Sequence, residues 1–144
     1  MPDKPEPIFL DTAYVYALVN TRDEWHNEAL EWQEKLEKER RRILTTELVL
    51  VEIADGLASV RFRAHAFQVI TALQTSPYVE VITISSELLA DALSLYSQRS
   101  DKEWGITDCV SFVVMHARGL MKALTTDEHF QQAGFVSLLR SPAA

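Results

Sequence analysis

The chain has 144 residues, of which 47% are hydrophobic and 24% charged, a composition typical of one globular domain. Its 14 basic and 21 acidic residues give a net charge of −7, which argues against a protein that coats nucleic acid through clustered Lys and Arg. An enzyme that acts on nucleic acid is still compatible with this charge. Cys109 is the only cysteine, so one chain can form neither a disulfide nor a thiolate metal cluster, in keeping with a reducing cytoplasm.

The N-terminus reads as a short flexible lead-in, residues 1–6, to a single domain that spans residues 1–144. This segment lacks the basic-then-apolar layout of a signal peptide. The chain also has no apolar run of about 18 residues, the length that a membrane helix needs. We therefore expect no association with a membrane and a location in the cytoplasm.

Short apolar or β-branched runs alternate with longer helical patterns along the chain. Strands are predicted at 7–12, 43–46, 79–84, 122–126 and 134–139. Helices are predicted at 13–19, 22–42, 47–59, 61–74, 86–100 and 106–115, and a short one from residue 127. This alternation predicts an α/β fold with a mainly parallel central sheet and helices on both faces, a three-layer α/β/α arrangement.

Four acidic residues stand where a parallel sheet would bring them together. Asp11 closes the first predicted strand, and Asp127 follows the fourth. Asp108 stands near the start of an apolar helix, and Glu52 lies within the apolar helix "ELVLVEIADGL". Ligands of such folds gather beyond the carboxyl ends of the strands. The four acids are therefore candidates for one pocket.

Each acid also has a simpler interpretation. Asp11, Asp108 and Asp127 all lie near predicted helix starts, where Asp commonly caps the helix or offsets its dipole. Glu52 could belong to a narrow, partly exposed polar stripe with Asp55. The residues alone leave both interpretations open.

Four segments carry a resemblance to a known family. They are "FLDTAYVYAL", "ELVLVEIADGL", "WGITDCVSFVVM" and "ALTTDEHF", in this order. Together they resemble a PIN domain, the nuclease fold of VapC-like toxins in type II toxin–antitoxin pairs. The matching residues are Asp11 with Thr12, Glu52 before Gly56–Leu57, Asp108 before Ser111 and Phe112, and Asp127 after Thr125 and Thr126.

The resemblance implies a ribonuclease whose catalytic and metal-binding residues are Asp11, Glu52, Asp108 and Asp127. Like charges in one pocket call for a cation, and oxygen donors suit Mg²⁺ or Mn²⁺. Such a metal activates water and offsets charge on the phosphate. Hydroxyls that could contact the metal ligands or the phosphate are those of Thr12, Ser111 and Thr126. The histidines at 26, 65, 116 and 129 have no zinc-ligand spacing and are interpreted as structural or surface residues.

The resemblance also implies partners: an RNA substrate, a small antitoxin protein and a second copy of the chain. Trp25, Trp32 and Leu36 form an apolar stripe on helix 22–42, which could supply the homodimer contact or pack onto its own sheet. A PIN-like domain that binds RNA or protein without catalysis is the alternative function. A haloacid-dehalogenase-type phosphatase is disfavoured, because the second Asp that its chemistry needs is replaced by Ala13.

Overall fold

The computed structural model describes residues 5–140 and contains one five-stranded sheet. Its strands are β1 (Ile8–Leu10), β2 (Ile43–Thr46), β3 (Val79–Ile82), β4 (Lys122–Leu124) and β5 (Val136–Ser137). Their order is β3-β2-β1-β4-β5, and every pair is parallel. The prediction of a mainly parallel sheet is confirmed.

Seven helices in the described residues flank this sheet. They are α1 (Thr12–Val19), α2 (His26–Glu39), α3 (Glu47–Gly56), α4 (Val60–Thr75), α5 (Ser86–Gln98), α6 (Ile106–Ala117) and α7 (Glu128–Gln132). The α/β/α fold predicted from the alternation of strands and helices is therefore confirmed. None of these helices combines the length and the hydropathy that a membrane span would need.

Several element ends differ from the predictions, and α2 differs most. Residues 22–25 are outside the helix because the side chains of Asn20 and Asp23 accept hydrogen bonds from the backbone N–H groups of Arg22 and Trp25. At the other end, Arg40 adopts a left-handed conformation with φ of 49°, which stops the helix. The prediction of a helix over 22–42 was thus too long at both ends.

The third strand is also shorter than predicted. It ends at Ile82, and the backbone N–H of Ile84 donates to Glu47 Oε1 at 2.8 Å instead of to a neighbouring strand. Of the predicted lead-in, residues 1–4 lie outside the described residues. The carbonyls of Pro5 and Glu6 accept hydrogen bonds from the guanidinium groups of Arg42 and Arg41.

An aromatic cluster at one end of the sheet fixes the starts of α6 and α7. The Phe112 ring lies edge-on to those of Phe130, 4.9 Å away, and Trp104, 5.0 Å away. Phe130 is fully buried and also faces Phe9 of β1. Each edge-on pair contributes about 0.5–1.5 kcal/mol beyond the area that it buries. The cluster therefore holds both helix starts against β1.

The strand order creates a switch point between β1 and β4. From β1 the chain adds β2 and β3 on one side, and then returns to add β4 and β5 on the other. The backbone N–H of Asp11 donates to the carbonyl of Leu124 at 3.1 Å, so the carboxyl ends of β1 and β4 lie side by side. Crevices at such switch points are where open α/β sheets bind ligands.

Candidate active site

Asp11 lies directly after β1 and is 3% exposed. Its Oδ2 accepts hydrogen bonds from the Thr125 hydroxyl at 2.7 Å and from the backbone N–H of Ala13 at 3.4 Å, so Asp11 also caps α1. Thr125 Oγ1 in turn accepts the backbone N–H of Asp127 at 2.9 Å. One hydroxyl therefore fixes the Asp11 carboxylate relative to the segment that carries Asp127.

Asp108 and Asp127 meet at the side chain of His129. Asp108 Oδ2 lies 3.1 Å from His129 Nδ1, and Asp127 Oδ1 lies 3.4 Å from the same nitrogen. Asp127 Oδ1 also accepts the backbone N–H of His129 and so caps α7, while Asp108 Oδ2 accepts the backbone N–H of Gly105 before α6. A full capping box needs a second hydrogen bond, from the backbone N–H of Asp108 to the side chain of the residue before the helix. Glycine has no such side chain, so only half of the capping box exists here.

Glu52 reaches the same region from α3. The Tyr16 hydroxyl of α1 donates to the Glu52 carbonyl at 2.9 Å, which ties the two helices together at this residue. Burial, and then the charges of Glu52 and Asp11, raise the pKa of Tyr16 to about 12. The Glu52 carboxylate therefore lies close enough to act on both Tyr16 and the Asp11 pocket.

Electrostatics show that the four acids share one environment. Burial raises the pKa of Asp11 from 3.8 to about 7, with further contributions from the charges of Asp108, Glu52 and Asp127, while the Thr125 hydrogen bond opposes the rise. Burial and the Asp127 charge also raise the pKa of Asp108, against the hydrogen bonds from Gly105 and His129. Asp11 thus feels the charges of the other three acids that the sequence singled out. In the described residues, the donor atoms found within 4.8 Å of one another belong to Asp108, Asp127 and His129.

The three predicted hydroxyl contacts have different surroundings. Thr12 is 2% exposed, and its Oγ1 has no hydrogen-bond partner within residues 5–140. Ser111 is fully buried and donates to the carbonyl of Thr107 in its own helix at 2.9 Å. Thr126 is half-buried, and its carbonyl accepts a hydrogen bond from Arg140. Of the three, Thr12 alone has a buried hydroxyl oxygen left without a partner in the described structure.

Two residues of the site were not expected in it. Thr125 entered the sequence interpretation only as part of the motif before Asp127, although it is the direct partner of Asp11. His129 was interpreted as a structural or surface residue because the histidines lack zinc-ligand spacing. The sequence did contain one indication that His129 belongs to the site. His129 lies two residues after Asp127, in the first turn of the next helix, and a side chain at that position can point back toward the capping residue.

This donor set fits a divalent cation. Carboxylates that raise one another's pKa are stabilised by a cation, and their oxygens suit Mg²⁺ or Mn²⁺. One oxygen each from Asp108 and Asp127 and a ring nitrogen of His129 lie within 4.8 Å of one another. The orphaned Thr12 hydroxyl is a further oxygen beside Asp11 in the chain. The residues present could therefore hold a metal ion.

A parallel α/β sheet with acidic side chains at its switch point defines a class of proteins suited to metal-assisted chemistry. The chain belongs to the PIN domain family, whose model matches residues 8–136. The family resemblance found in the four sequence segments is thereby confirmed.

The chain is similar to the 23S rRNA-specific endonuclease VapC20 of Mycobacterium tuberculosis, in strains CDC 1551 and H37Rv. The two sequences are 30% identical over 132 residues, which cover 91% of this chain and 97% of the relative. The crystal structure of VapC20, described as a sarcin–ricin loop cleaving toxin, matches with a TM-score of 0.78 and 28% identity. That match covers 90% of this chain and 97% of the other.

Proposed function

We propose that this protein is an endoribonuclease that hydrolyses RNA phosphodiester bonds with Mg²⁺ or Mn²⁺ held by Asp11, Glu52, Asp108 and Asp127. The observation that carries the proposal is the Asp11 carboxylate, which is buried among three other acids with its pKa raised to about 7. Like charges buried together destabilise a folded protein, and such groups are typical of sites where a bound cation offsets their repulsion. When bound, the metal supplies an activated water and stabilises charge on the phosphate.

The chain's own residues hold this arrangement in place. Thr125 donates to Asp11 and accepts from the Asp127 backbone, which keeps the two acids in register before any cation binds. The Tyr16 hydroxyl of α1 donates a hydrogen bond to the Glu52 carbonyl and so fixes the backbone of α3 at Glu52. The Thr12, Ser111 and Thr126 hydroxyls are proposed contacts to the phosphate or the metal ligands. The Ser111 hydroxyl also donates to the carbonyl of Thr107 in its own helix.

The similarity to VapC20 supports a role as the toxin of a toxin–antitoxin pair, acting in the cytoplasm. The match covers 91% of this chain and 97% of the relative, so the similarity is not confined to one segment. We infer that structured ribosomal RNA is the substrate class, and that a small antitoxin protein restrains the enzyme. Expression of the protein alone is expected to stop cell growth, and co-expression of its small antitoxin protein is expected to restore growth.

Metal-dependent cleavage tests the proposal. Purified protein should cut an RNA hairpin with the sarcin–ricin loop sequence in Mg²⁺ or Mn²⁺, and EDTA should stop the cleavage. Asp91→Asn on the exposed face of α5 is a matched control that should keep full activity. Full activity in excess chelator would rule out the metal mechanism. A protein that binds RNA but never cuts it would support the non-catalytic alternative.

Asp108→Asn separates the capping role from the metal role. The amide oxygen of Asn can accept the same bond from the Gly105 N–H as Asp108 does, but the substitution removes one charge and one hard ligand. We expect activity to fall by orders of magnitude, with stability in EDTA level or higher because a repelling charge has gone. The rise in melting temperature on adding Mn²⁺ should shrink. Asp11→Asn, Glu52→Gln and Asp127→Asn should behave alike. Wild-type cleavage by Asp108→Asn would make Asp108 an ordinary cap.

A further inference from the structure

The His129 ring lies between two acids of the proposed metal site. Its Nδ1 is 3.1 Å from Asp108 Oδ2 and 3.4 Å from Asp127 Oδ1. The His129 side chain is 27% exposed, Asp108 15% and Asp127 30%, so all three are partly shielded from water. The backbone N–H of His129 is already bonded to Asp127, which fixes where its side chain begins. The ring nitrogen thus faces the same space as the two carboxylates.

A nitrogen so placed can do one of two things. It can carry a proton and hold the carboxylates in position, or it can bind the same cation as they do. The three donor atoms lie within 4.8 Å of one another, so they surround a common point. Imidazole nitrogen is a good ligand for first-row transition ions, whereas Mg²⁺ prefers oxygen throughout. The two roles therefore predict different metal preferences.

We propose that His129 is a nitrogen ligand of the metal ion, and that it makes the site select a first-row transition dication over Mg²⁺. This inference rests on the proposed function, because it assumes that Asp108 and Asp127 hold a metal. Among the four histidines of the chain, only His129 lies next to the acids in the described residues. The other two donors of the trio are carboxylates, so the site would combine nitrogen and oxygen ligands.

Metal titration of the full chain tests the selectivity. The affinities of wild type and His129→Asn for Mg²⁺, Mn²⁺ and Co²⁺ are measured by isothermal titration calorimetry. Asn keeps an amide that can hydrogen-bond to Asp108, but it replaces the nitrogen ligand with an oxygen. We expect Co²⁺ affinity to fall by about tenfold or more, Mn²⁺ affinity to fall less and Mg²⁺ affinity to change least. His65→Asn, on the exposed part of α4, is the control and should change none of them.

A merely positioning role for His129 would weaken all three metals by the same factor, and that result would overturn the proposal. Pulsed electron paramagnetic resonance of Mn²⁺ bound to the wild type gives a test that needs no variant. A hyperfine coupling from a directly bound nitrogen is expected, and its absence would also overturn the proposal. If the wild type binds no metal at all, the proposed metal-dependent function fails instead, so the two failures are distinguishable.

Discussion

The surroundings of the Asp11 carboxylate disfavour its charged form. It is buried next to three other acids, and a single strong hydrogen bond, from Thr125, reaches its side chain at 2.7 Å. Burial and the neighbouring charges keep its pKa near 7 despite this bond. A proton can therefore take the role of the cation when no metal is bound, and the stability of the metal-free protein should depend on pH.

The sign of this dependence follows from proton linkage. The folded protein holds the Asp11 proton up to about pH 7, whereas the unfolded chain loses it near the ordinary value of 3.8. Between these values the folded state binds more protons, so the free energy of unfolding decreases as the pH rises. The total loss for this group is at most about 4 kcal/mol.

Chemical denaturation in EDTA at several pH values between about 4 and 8 measures this loss. The slope should flatten in Asp11→Asn, which has no proton to lose at this position, and persist in the surface control Asp91→Asn. Mn²⁺ should restore stability at the upper end of the range. An unchanged slope in Asp11→Asn would show that other groups cause the dependence.

At the level of helices, three N-termini converge on the site. Asp11 caps α1, Asp127 caps α7 and Asp108 lies in the first turn of α6. The sequence alone is compatible with either capping or metal binding by these residues. The two roles do not exclude each other, because one carboxylate has enough lone pairs to accept backbone N–H groups and still face a cation. The positive ends of three helix dipoles also favour the charged carboxylates, which offsets part of their burial.

The helix that carries Glu52 depends on a glycine for its position. A Cβ atom at Gly56 would lie 1.8 Å from the Tyr16 hydroxyl oxygen, which bonds to the Glu52 carbonyl one turn earlier. Glycine therefore lets the Tyr16 ring lie across α3. Within a helix, Ala is normally favoured over Gly by up to about 1 kcal/mol. At this position the clash should reverse that sign.

We expect Gly56→Ala to lower the free energy of unfolding by about 1–3 kcal/mol, the usual cost of forcing extra volume into a packed contact. Urea denaturation of a double-mutant cycle checks the cause. With Tyr16→Ala in the background, the clash partner is gone and Gly56→Ala should become neutral or stabilising. A loss that persists without the tyrosine would point to the backbone of Gly56 rather than to Tyr16.

Over the whole molecule, the placement of apolar side chains bears on the two alternatives for the stripe of Trp25, Trp32 and Leu36. Trp32 and Leu36 of α2, and Trp25 just before it, pack against the core, which favours the alternative that this stripe covers its own domain. Several apolar side chains elsewhere are exposed, and three of them share one face of α5: Leu89, Leu93 and Tyr96 stand at helical spacing and are between 39% and 54% exposed. Apolar groups that share one helix face outside the core mark a protein contact.

We therefore predict a homodimer in which the α5 stripe lies in the contact. Leu93→Glu should shift the protein to a monomer in light scattering, because it places a charge in the interface, while leaving the melting temperature of the monomer nearly unchanged. Leu30→Glu on α2, where Leu30 is 43% exposed, is the matched control and should stay dimeric. A wild type that is monomeric at micromolar concentration would reject the prediction.

Much of the fold could be predicted from local patterns. Apolar runs and helical spacing are properties of short stretches of sequence, so they predicted, in order, the five strands and seven helices seen in residues 5–140. The ends of α2 and β3 were misjudged because side chains of Asn20, Asp23 and Glu47 bond to backbone groups in place of helix or sheet partners. Four motifs and the family resemblance were enough to single out the four acids.

The contacts between those acids and their partners were decided only by the tertiary structure. Thr125 meets Asp11 because β4 lies beside β1 in the sheet, although many elements separate them in the chain. His129 meets Asp108 because the aromatic cluster around Phe112 holds the starts of α6 and α7 together. A local pattern specifies periodicity and caps, but strand order and helix packing depend on burial summed over the whole chain. Through these contacts, Asp11 is tied to the segment that carries Asp127, and His129 lies beside Asp108 and Asp127 in the candidate site.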